Sequence, residues 1–403
     1  MRTIKILVTG GGTGGHVSPA LAVIQTLQVM AQESGEWIPV FRYIGSLHGV
    51  EQGLVEAAGI PFVGVQSGKL RRASSLRGLL TRKNLTDALR VPVGIGQALN
   101  EVRKFRPDVV LATGGYVSVP PVIAAGLLHR PVLIHEQTVQ IGLANRIAAR
   151  FATRIALTFE GAASELPPGL RRKTFVTGNP VRQAIFGGDR ARAVSRFGLD
   201  PADSSLPTIY VTGGALGAQS VNQAVTAILP ALLPACRAIH QCGKQDGEAM
   251  AQVRATLPES LQARYFTVPF VGEEVADVFA LADLIVGRSG AGTVAEVSAL
   301  GKPALFIPLV PTGGDEQTRN ARRSVGAGAA ILLPSRELSG PRLLSEIHAL
   351  LSDPARLQVM GQAALTLATP NAARDIAEAL LRMADLPPAQ HWLPGGQVPP
   401  PSC

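Results

Sequence analysis

The sequence predicts an α/β protein of two doubly wound parallel-sheet lobes facing a central cleft, and three observations predict it. Short β-branched runs alternate with amphipathic stretches, the arrangement that builds βαβ units. The same strand, glycine turn and helix opens twice, over residues 6–23 and again over 208–225. A softer, charged stretch, residues 183–207, holds Gly187, Gly188, Pro201 and Pro207 and separates the two openings. At 403 residues the chain is too long for one compact core and accommodates two domains, each of about 150 residues or more.

Taken in order, the first half offers "KILVTG", "VFRYIG", "DVVLAT", "PVLIHE" and "TFVTGN" as strands, with a helix over 51–58 stopped by Gly59. The first strand enters five glycines in six positions, then His16, then a helix expected to open at Ser18 and Pro19, a cap residue followed by a first-turn proline. Residues 109–128 carry no charge and have the length of a membrane span. Gly114, Gly115, Pro120 and Pro121 interrupt them, so a strand, a loop and a buried helix are expected instead. The second half offers "TIYVTG", "AIHQCG", "DLIVGR", "PALFIP" and "AAILLP". The expected division is a first lobe over 1–182, a second over 183–369, and a Pro/Gly-rich disordered tail over 386–403.

Composition narrows the function classes. An apolar share of 46% with 17% charged residues describes a soluble globular chain, and no signal peptide is read before the glycines. Cys236, Cys242 and Cys403 offer neither a disulfide framework nor a zinc pattern, which suits a reducing cytosol. The net charge of +9 favours anionic partners. Residues 69–90 hold seven Lys/Arg against Asp87 alone, interleaved with leucines, so they read either as an interface with anionic lipid or as a solvated face. No aromatic residue lies in that patch for a base to stack on, which argues against nucleic acid.

Glycine turns of this kind let backbone approach a phosphate, and Gly10, Gly12 and Gly15 satisfy G-x-G-x-x-G. A dinucleotide site also needs an acid at the end of the second strand, and "FRYIGS" has none. The acid stands in the other lobe, within residues 287–308. There the backbone of Ser289, Gly290, Ala291 and Thr293 opens a helix able to hold a diphosphate. Glu296, one turn on, can accept two hydrogen bonds from a ribose diol; the alternative is an ordinary β-α turn with Glu296 on a solvated face. His16 is the natural base candidate because imidazole titrates near neutral pH. Glu136 is the second, and the alternatives are a helix-capping His16 and a structural, hydrogen-bonded Glu136.

"GGTGGHVSPALA", "ATGGYVSVPP", "HEQT" with "GLAN", "TGNPVR", "GRSGAGTVAE" and "DEQTRNA" occur in an order and spacing that resemble the lipid-linked N-acetylglucosaminyltransferases of glycosyltransferase family 28. The resemblance spans about residues 3–385. It implies a GT-B fold whose C-terminal helix, about 370–385, returns to the first lobe. It implies inverting transfer of GlcNAc from UDP-GlcNAc to the 4-hydroxyl of MurNAc in lipid I, giving lipid II. The donor side would comprise Thr13, Gly14, Thr138, Arg182, Ala215, Phe270 and Val271 with Ser289, Gly290, Ala291, Thr293, Glu296 and Gln317. Arg182 would lie beside the nucleotide, Glu296 on its ribose, Gln317 on the sugar, and Phe270 and Val271 at the uracil. Gly11, Gly12, Gly14, Gly15, His16, Thr113, Gly114, Gly115 and Tyr116 would receive the acceptor's pyrophosphate. No D-x-D occurs, so no metal or other cofactor is expected at the chemical step, and helix N-termini with Arg182 would stabilise departing UDP. The implied location is peripheral, on the cytoplasmic face of an anionic cell membrane, among other cell-wall synthesis proteins. The chain departs from the family in reading "GGALGA" for the usual "GGSQGA", in Thr138 for an asparagine, and in Glu316 for a histidine or amide.

Overall fold

The computed structural model describes residues 1–68, 82–200, 203, 205–214, 217–272, 274–309 and 315–385, with only the helical backbone over 82–89. Most of the basic patch, Ala215 and the 386–403 tail therefore lie outside the described residues. Seven strands form the first sheet: β1 (Arg2–Thr9), β2 (Trp37–Ser46), β3 (Phe62–Val65), β4 (Val109–Ala112), β5 (Val132–Glu136), β6 (Arg154–Leu157) and β7 (Thr174–Val176). Six form the second: β8 (Thr208–Thr212), β9 (Arg237–Gln241), β10 (Tyr265–Val268), β11 (Leu284–Gly287), β12 (Ala304–Phe306) and β13 (Ala330–Leu332).

The strand orders are β3-β2-β1-β4-β5-β6-β7 and β10-β9-β8-β11-β12-β13. The pairings that set the site are parallel, Thr9 opposite Ala112 and Thr212 opposite Gly287. Every residue of β4, β5, β8, β9 and β11 is buried, as expected of strands with helices over both faces. Strand order reverses between β1 and β4 in one lobe and between β8 and β11 in the other. Ligands of doubly wound sheets bind at such points, outside the carboxyl ends of the strands.

One face of the first sheet packs on the Gly14–Ser34 helix and the terminal Ala372–Met383 helix. Ile376, Ala377, Leu380 and Leu381 of the latter are buried among Ile4, Ile6 and Val8. Each large aliphatic chain so buried contributes about 1.5–3 kcal/mol. The Arg2 guanidinium donates to the Ala384 and Asp385 carbonyls at 2.8 and 3.1 Å, satisfying acceptors that the helix end leaves open. Ile185, Ala193 and Leu199 join the core of the second lobe with Tyr210 and Phe279.

Two differences from the sequence reading have physical causes. The first helix starts at Gly14 rather than at Ser18 and Pro19, so His16 sits in its first turn and Pro19 inside it. Packing of the turn against the one after β4 overrides the local cap signal. Strands β3, β6 and β10 go beyond the strands read from the sequence; each is four residues long, too short for its pattern to stand out. The uncharged run at 109–128 resolves into β4, a 3-10 turn Tyr116–Ser118 and the helix Val119–Leu127. Among the described residues no helix is long and apolar enough to cross a membrane.

Candidate active site

The turns after β1 and β4 lock together backbone to backbone. Thr113 N–H donates to Thr9 O at 2.9 Å, and Gly11 N–H to Gly114 O at 3.3 Å. Gly115 has φ +79°, and a Cβ there would collide with the Gly11 carbonyl, so both the conformation and the close approach demand glycine. Gly12 packs in the same way against the Tyr116 ring. Gly14 and Gly15 open the helix, while Thr13 precedes it with no side-chain capping bond.

His16 projects from this turn with Nδ1 3.1 Å from Thr113 O. A carbonyl only accepts, so Nδ1 carries the proton and Nε2 presents the lone pair. The same carbonyl accepts from Gln137 Nε2 at 2.8 Å, and Thr113 Oγ1 donates to His16 O at 2.7 Å. The ring orientation is thus set by two residues besides its own helix. Burial pushes the His16 pKa down, opposed by the Thr113 carbonyl and by the charges of Glu316 and Glu51. Glu316 belongs to the second lobe, so charge on that lobe acts on the ring.

Glu136 has a different role. Its Oε1 accepts from the Thr138 N–H and lies 2.9 Å from Thr138 Oγ1, while its Oε2 accepts from Gly142 N–H and Asn145 Nδ2. Three N–H donors meet the carboxylate, and burial, partly offset by those bonds, raises its pKa. Glu136 thereby braces the loop from β5 to the Leu143–Ala148 helix. Thr138 is spent on that brace, its hydroxyl also within 2.6 Å of Gln140 O.

In the second lobe Gly290 caps the Ala291–Ala299 helix, which places Thr293 in its first turn and Glu296 in its second. Burial lifts the Glu296 carboxyl to about 7, with Arg182 pulling the other way. Arg182 Nε is buried without a hydrogen-bond partner, a donor suited to a phosphate oxygen. Ser289 is fully buried and donates to Gln317 O at 2.7 Å, joining this turn to the Glu316–Gly326 helix. Gln317 Oε1 accepts from Leu309 N–H. Val271 is buried and Phe270 42% exposed at the segment after β10.

Three residues hold these turns, of which only Gln137 lies in a motif legible in the sequence. Glu51 lies beneath the first glycine turn and Gln137 behind His16. Gln241, at the end of β9, accepts from Val271 N–H at 2.9 Å and donates to Gly214 O at 2.9 Å. It ties the glycine turn after β8 to the segment that carries Phe270. The lobes themselves touch where Asn179 Nδ2 donates to Ala291 O at 3.1 Å and the Arg323 guanidinium stacks on Phe159 at 4.5 Å.

Comparison with known proteins agrees with this architecture. Residues 6–157 match the glycosyltransferase family 28 N-terminal domain and residues 208–380 its C-terminal domain. A Lachnospira eligens protein named UDP-N-acetylglucosamine–N-acetylmuramyl-(pentapeptide) pyrophosphoryl-undecaprenol N-acetylglucosamine transferase is 39% identical over 87% of this chain and 91% of its own. A Moorella thermoacetica protein of the same name is 37% identical over 95% of this chain and all of its own. The crystal structure of Acinetobacter baumannii MurG superposes with a TM-score of 0.67 at 27% identity, covering 94% of this chain and 99% of that one. A Neisseria meningitidis UDP-GlcNAc 2-epimerase structure, at 15% identity and TM-score 0.63 over 95% of this chain and all of its own, shares the fold alone. With both domains matched and the paired turns in place, this chain belongs to glycosyltransferase family 28.

Proposed function

We propose that this chain transfers GlcNAc from UDP-GlcNAc to the 4-hydroxyl of MurNAc in undecaprenyl-pyrophosphoryl-MurNAc-pentapeptide. The observation that carries the reading is His16, held in the first turn of the helix that follows the first lobe's switch-point turn, with Nδ1 3.1 Å from Thr113 O so that Nε2 is the nitrogen left to accept a proton. The second lobe takes the nucleotide. The N-terminus at Gly290–Thr293 and Arg182 hold the diphosphate, Glu296 the ribose, Val271 and Phe270 the uracil, and Gln317 the sugar. The first lobe takes the lipid's pyrophosphate against residues 11–15 and 113–116.

The acceptor oxygen attacks C1 of GlcNAc from the face opposite UDP, which inverts that centre. As the O4–C1 bond forms and the C1–O bond to the β-phosphate breaks, the hydroxyl proton passes to His16 Nε2, and UDP departs with the bonding pair. Such base assistance accounts for about 10²–10⁴ in rate. Charge on the leaving diphosphate is met by the helix dipole and Arg182, so the step proceeds without a metal. The enzyme works peripherally at the cytoplasmic membrane face, where residues 69–90 meet anionic headgroups beside other cell-wall synthesis proteins.

The test is transfer of labelled GlcNAc from UDP-GlcNAc to a lipid I analogue by purified protein with EDTA present. A labelled disaccharide-lipid is expected. UDP-GlcNAc binding without product would overturn the acceptor assignment, and product only without chelator would overturn the metal-free step.

A further inference from the structure

Glu51 is the first residue of the Glu51–Ala57 helix, and its side chain is fully buried. A buried carboxylate is costly unless its oxygens are met. Here Oε2 accepts from Gly12 N–H at 3.2 Å and Oε1 from Ser46 N–H at 2.8 Å. Space is made for it by glycine: a side chain at Gly11, Gly45 or Gly49 would run into the Glu51 side chain. Two segments of the first lobe, residues 11–12 and 45–49, are therefore shaped around one negative charge, directly under a turn that reads as a phosphate cradle. A charge there opposes anion binding, so its presence needs a reason, and the reason stands four residues beyond Gly12.

We infer that Glu51 is a positioning residue of the acceptor site: it fixes the glycine turn through the Gly12 N–H and supplies the negative charge against which His16 becomes an imidazolium. The inference rests on the reading of His16 as the base. When His16 takes the acceptor proton, a positive charge forms in a half-buried site that burial alone would disfavour. The charged or titratable groups that act on the ring are Glu316 of the second lobe, Glu51 beneath the glycine turn that leads into it, and His135 of β5. His135 is fully buried, and burial together with the nearby His16 holds its pKa down to about 4, so it stays neutral while His16 works. Glu316 is exposed and on the other lobe, so its charge is screened and depends on how the lobes face. Of the two carboxylates, only Glu51 is buried, in the same lobe and fixed by backbone.

The experiment compares wild type with Glu51→Gln, Glu51→Asp and His16→Ala in GlcNAc transfer to a lipid I analogue. It records pH profiles and separate KM values for the two substrates, with melting temperatures alongside. Glu51→Gln removes the charge and leaves one N–H facing an amide donor. Its acidic limb should move to lower pH and its acceptor kcat/KM fall by at least about tenfold, while the UDP-GlcNAc KM stays within about twofold. Glu51→Asp keeps the charge but shortens the reach, so its acidic limb should stay in place while the acceptor KM rises. An unshifted limb and unchanged acceptor KM in Glu51→Gln, or equal losses for both substrates that track melting temperature, would overturn the inference. If Glu51→Gln does not fold, Glu51→Asp decides, and a wild-type acceptor KM there overturns it. His16→Ala keeps the two levels apart: wild-type turnover in that variant overturns the base assignment itself. A dead His16→Ala beside an unmoved Glu51→Gln overturns only the role of Glu51.

Discussion

The two lobes open with the same strand, glycine turn and helix, yet the side chain that braces the turn differs. In the first lobe it is Glu51, an acid that only accepts. In the second it is Gln241, which accepts from Val271 N–H and donates to Gly214 O. Tyr210 O–H, 3.2 Å from Gln241 Oε1, completes the neutral brace. Both braces are long-range hydrogen bonds to backbone, but they differ in donor capacity and in charge. The turn after β8, in the lobe proposed to take the nucleotide, is built around an amide. A turn that carries a base about to become a cation is built around a carboxylate. One architecture, duplicated, has been specialised by the formal charge of a single buried residue in each copy.

Changing the sign of the second brace should break this division most severely. Gln241→Glu turns the donor to Gly214 O into a second acceptor and places a buried charge beside the donor turn. Gln241→Met removes the same hydrogen bonds without charge. At pH 8 the UDP affinity should fall by about tenfold in Gln241→Met and about a hundredfold in Gln241→Glu, one and two steps of 1.4 kcal/mol. Titration calorimetry with UDP measures both, and equal losses would show that the lobes are braced by hydrogen bonds alone. Acceptor KM should stay unchanged in both variants.

Why these braces escape a reading of the sequence is instructive. The glycine turns after β1 and β8 are legible because strand, glycine and helix signals are contiguous. The Ala291–Ala299 helix and its Glu296 are legible because a switch-point turn and an acid one turn on form a local pattern. Glu51 reaches Gly12 across 39 residues, and Gln241 reaches Val271 across 30. Nothing local marks either one. An acid opening a helix looks like ordinary dipole compensation, and a glutamine after "AIH" looks like a strand end. Glu136 is the opposite case: its motif invites catalysis, and the three N–H donors that brace it become visible only in the fold. The start of the first helix was misplaced for a related reason, since Ser18 and Pro19 carry the cap signal while contact with Thr113 determines where the turn ends.

Glu296 sharpens the comparison, because it is an acid on the donor side. Burial holds its carboxyl at about 7, so near neutral pH it is about half protonated, and its charge is suppressed until a ligand arrives. A ribose diol donates hydrogen bonds that favour the ionised form, so binding releases a proton. UDP-GlcNAc affinity should therefore rise several-fold from pH 6 to pH 8 and level off above it. Its diphosphate diester stays ionised throughout and contributes no slope. In the free enzyme the sign is reversed: the raised pKa stabilises the fold at acidic pH, and that contribution is lost as pH rises from the ordinary carboxylate range through about 7. In Glu296→Gln both dependences should flatten. An unchanged affinity slope in that variant would remove Glu296 from the ribose site.

The smallest effect comes from Glu316, and it separates the two carboxylates that act on His16. Both raise the proton affinity of a ring that burial otherwise lowers. Glu51 does so from inside the first lobe, whereas Glu316 is exposed, opens the Glu316–Gly326 helix of the second lobe and follows Asp315, whose φ is +51°. Exposed charges are screened by salt and buried ones much less. Glu316→Gln should therefore lower kcat only about two- to threefold, moving the acidic limb slightly to lower pH, and raising salt to about 1 M should erase the difference from wild type. The shift in Glu51→Gln should survive the same salt. Because Glu316 precedes the sugar-side Gln317, its variant should also change the UDP-GlcNAc KM, which Glu51→Gln leaves alone. If Glu316→Gln displaced the limb as far as Glu51→Gln at high salt, the base would take its counter-charge from the facing lobe. Proton transfer would then be gated by lobe approach rather than set within the acceptor turn.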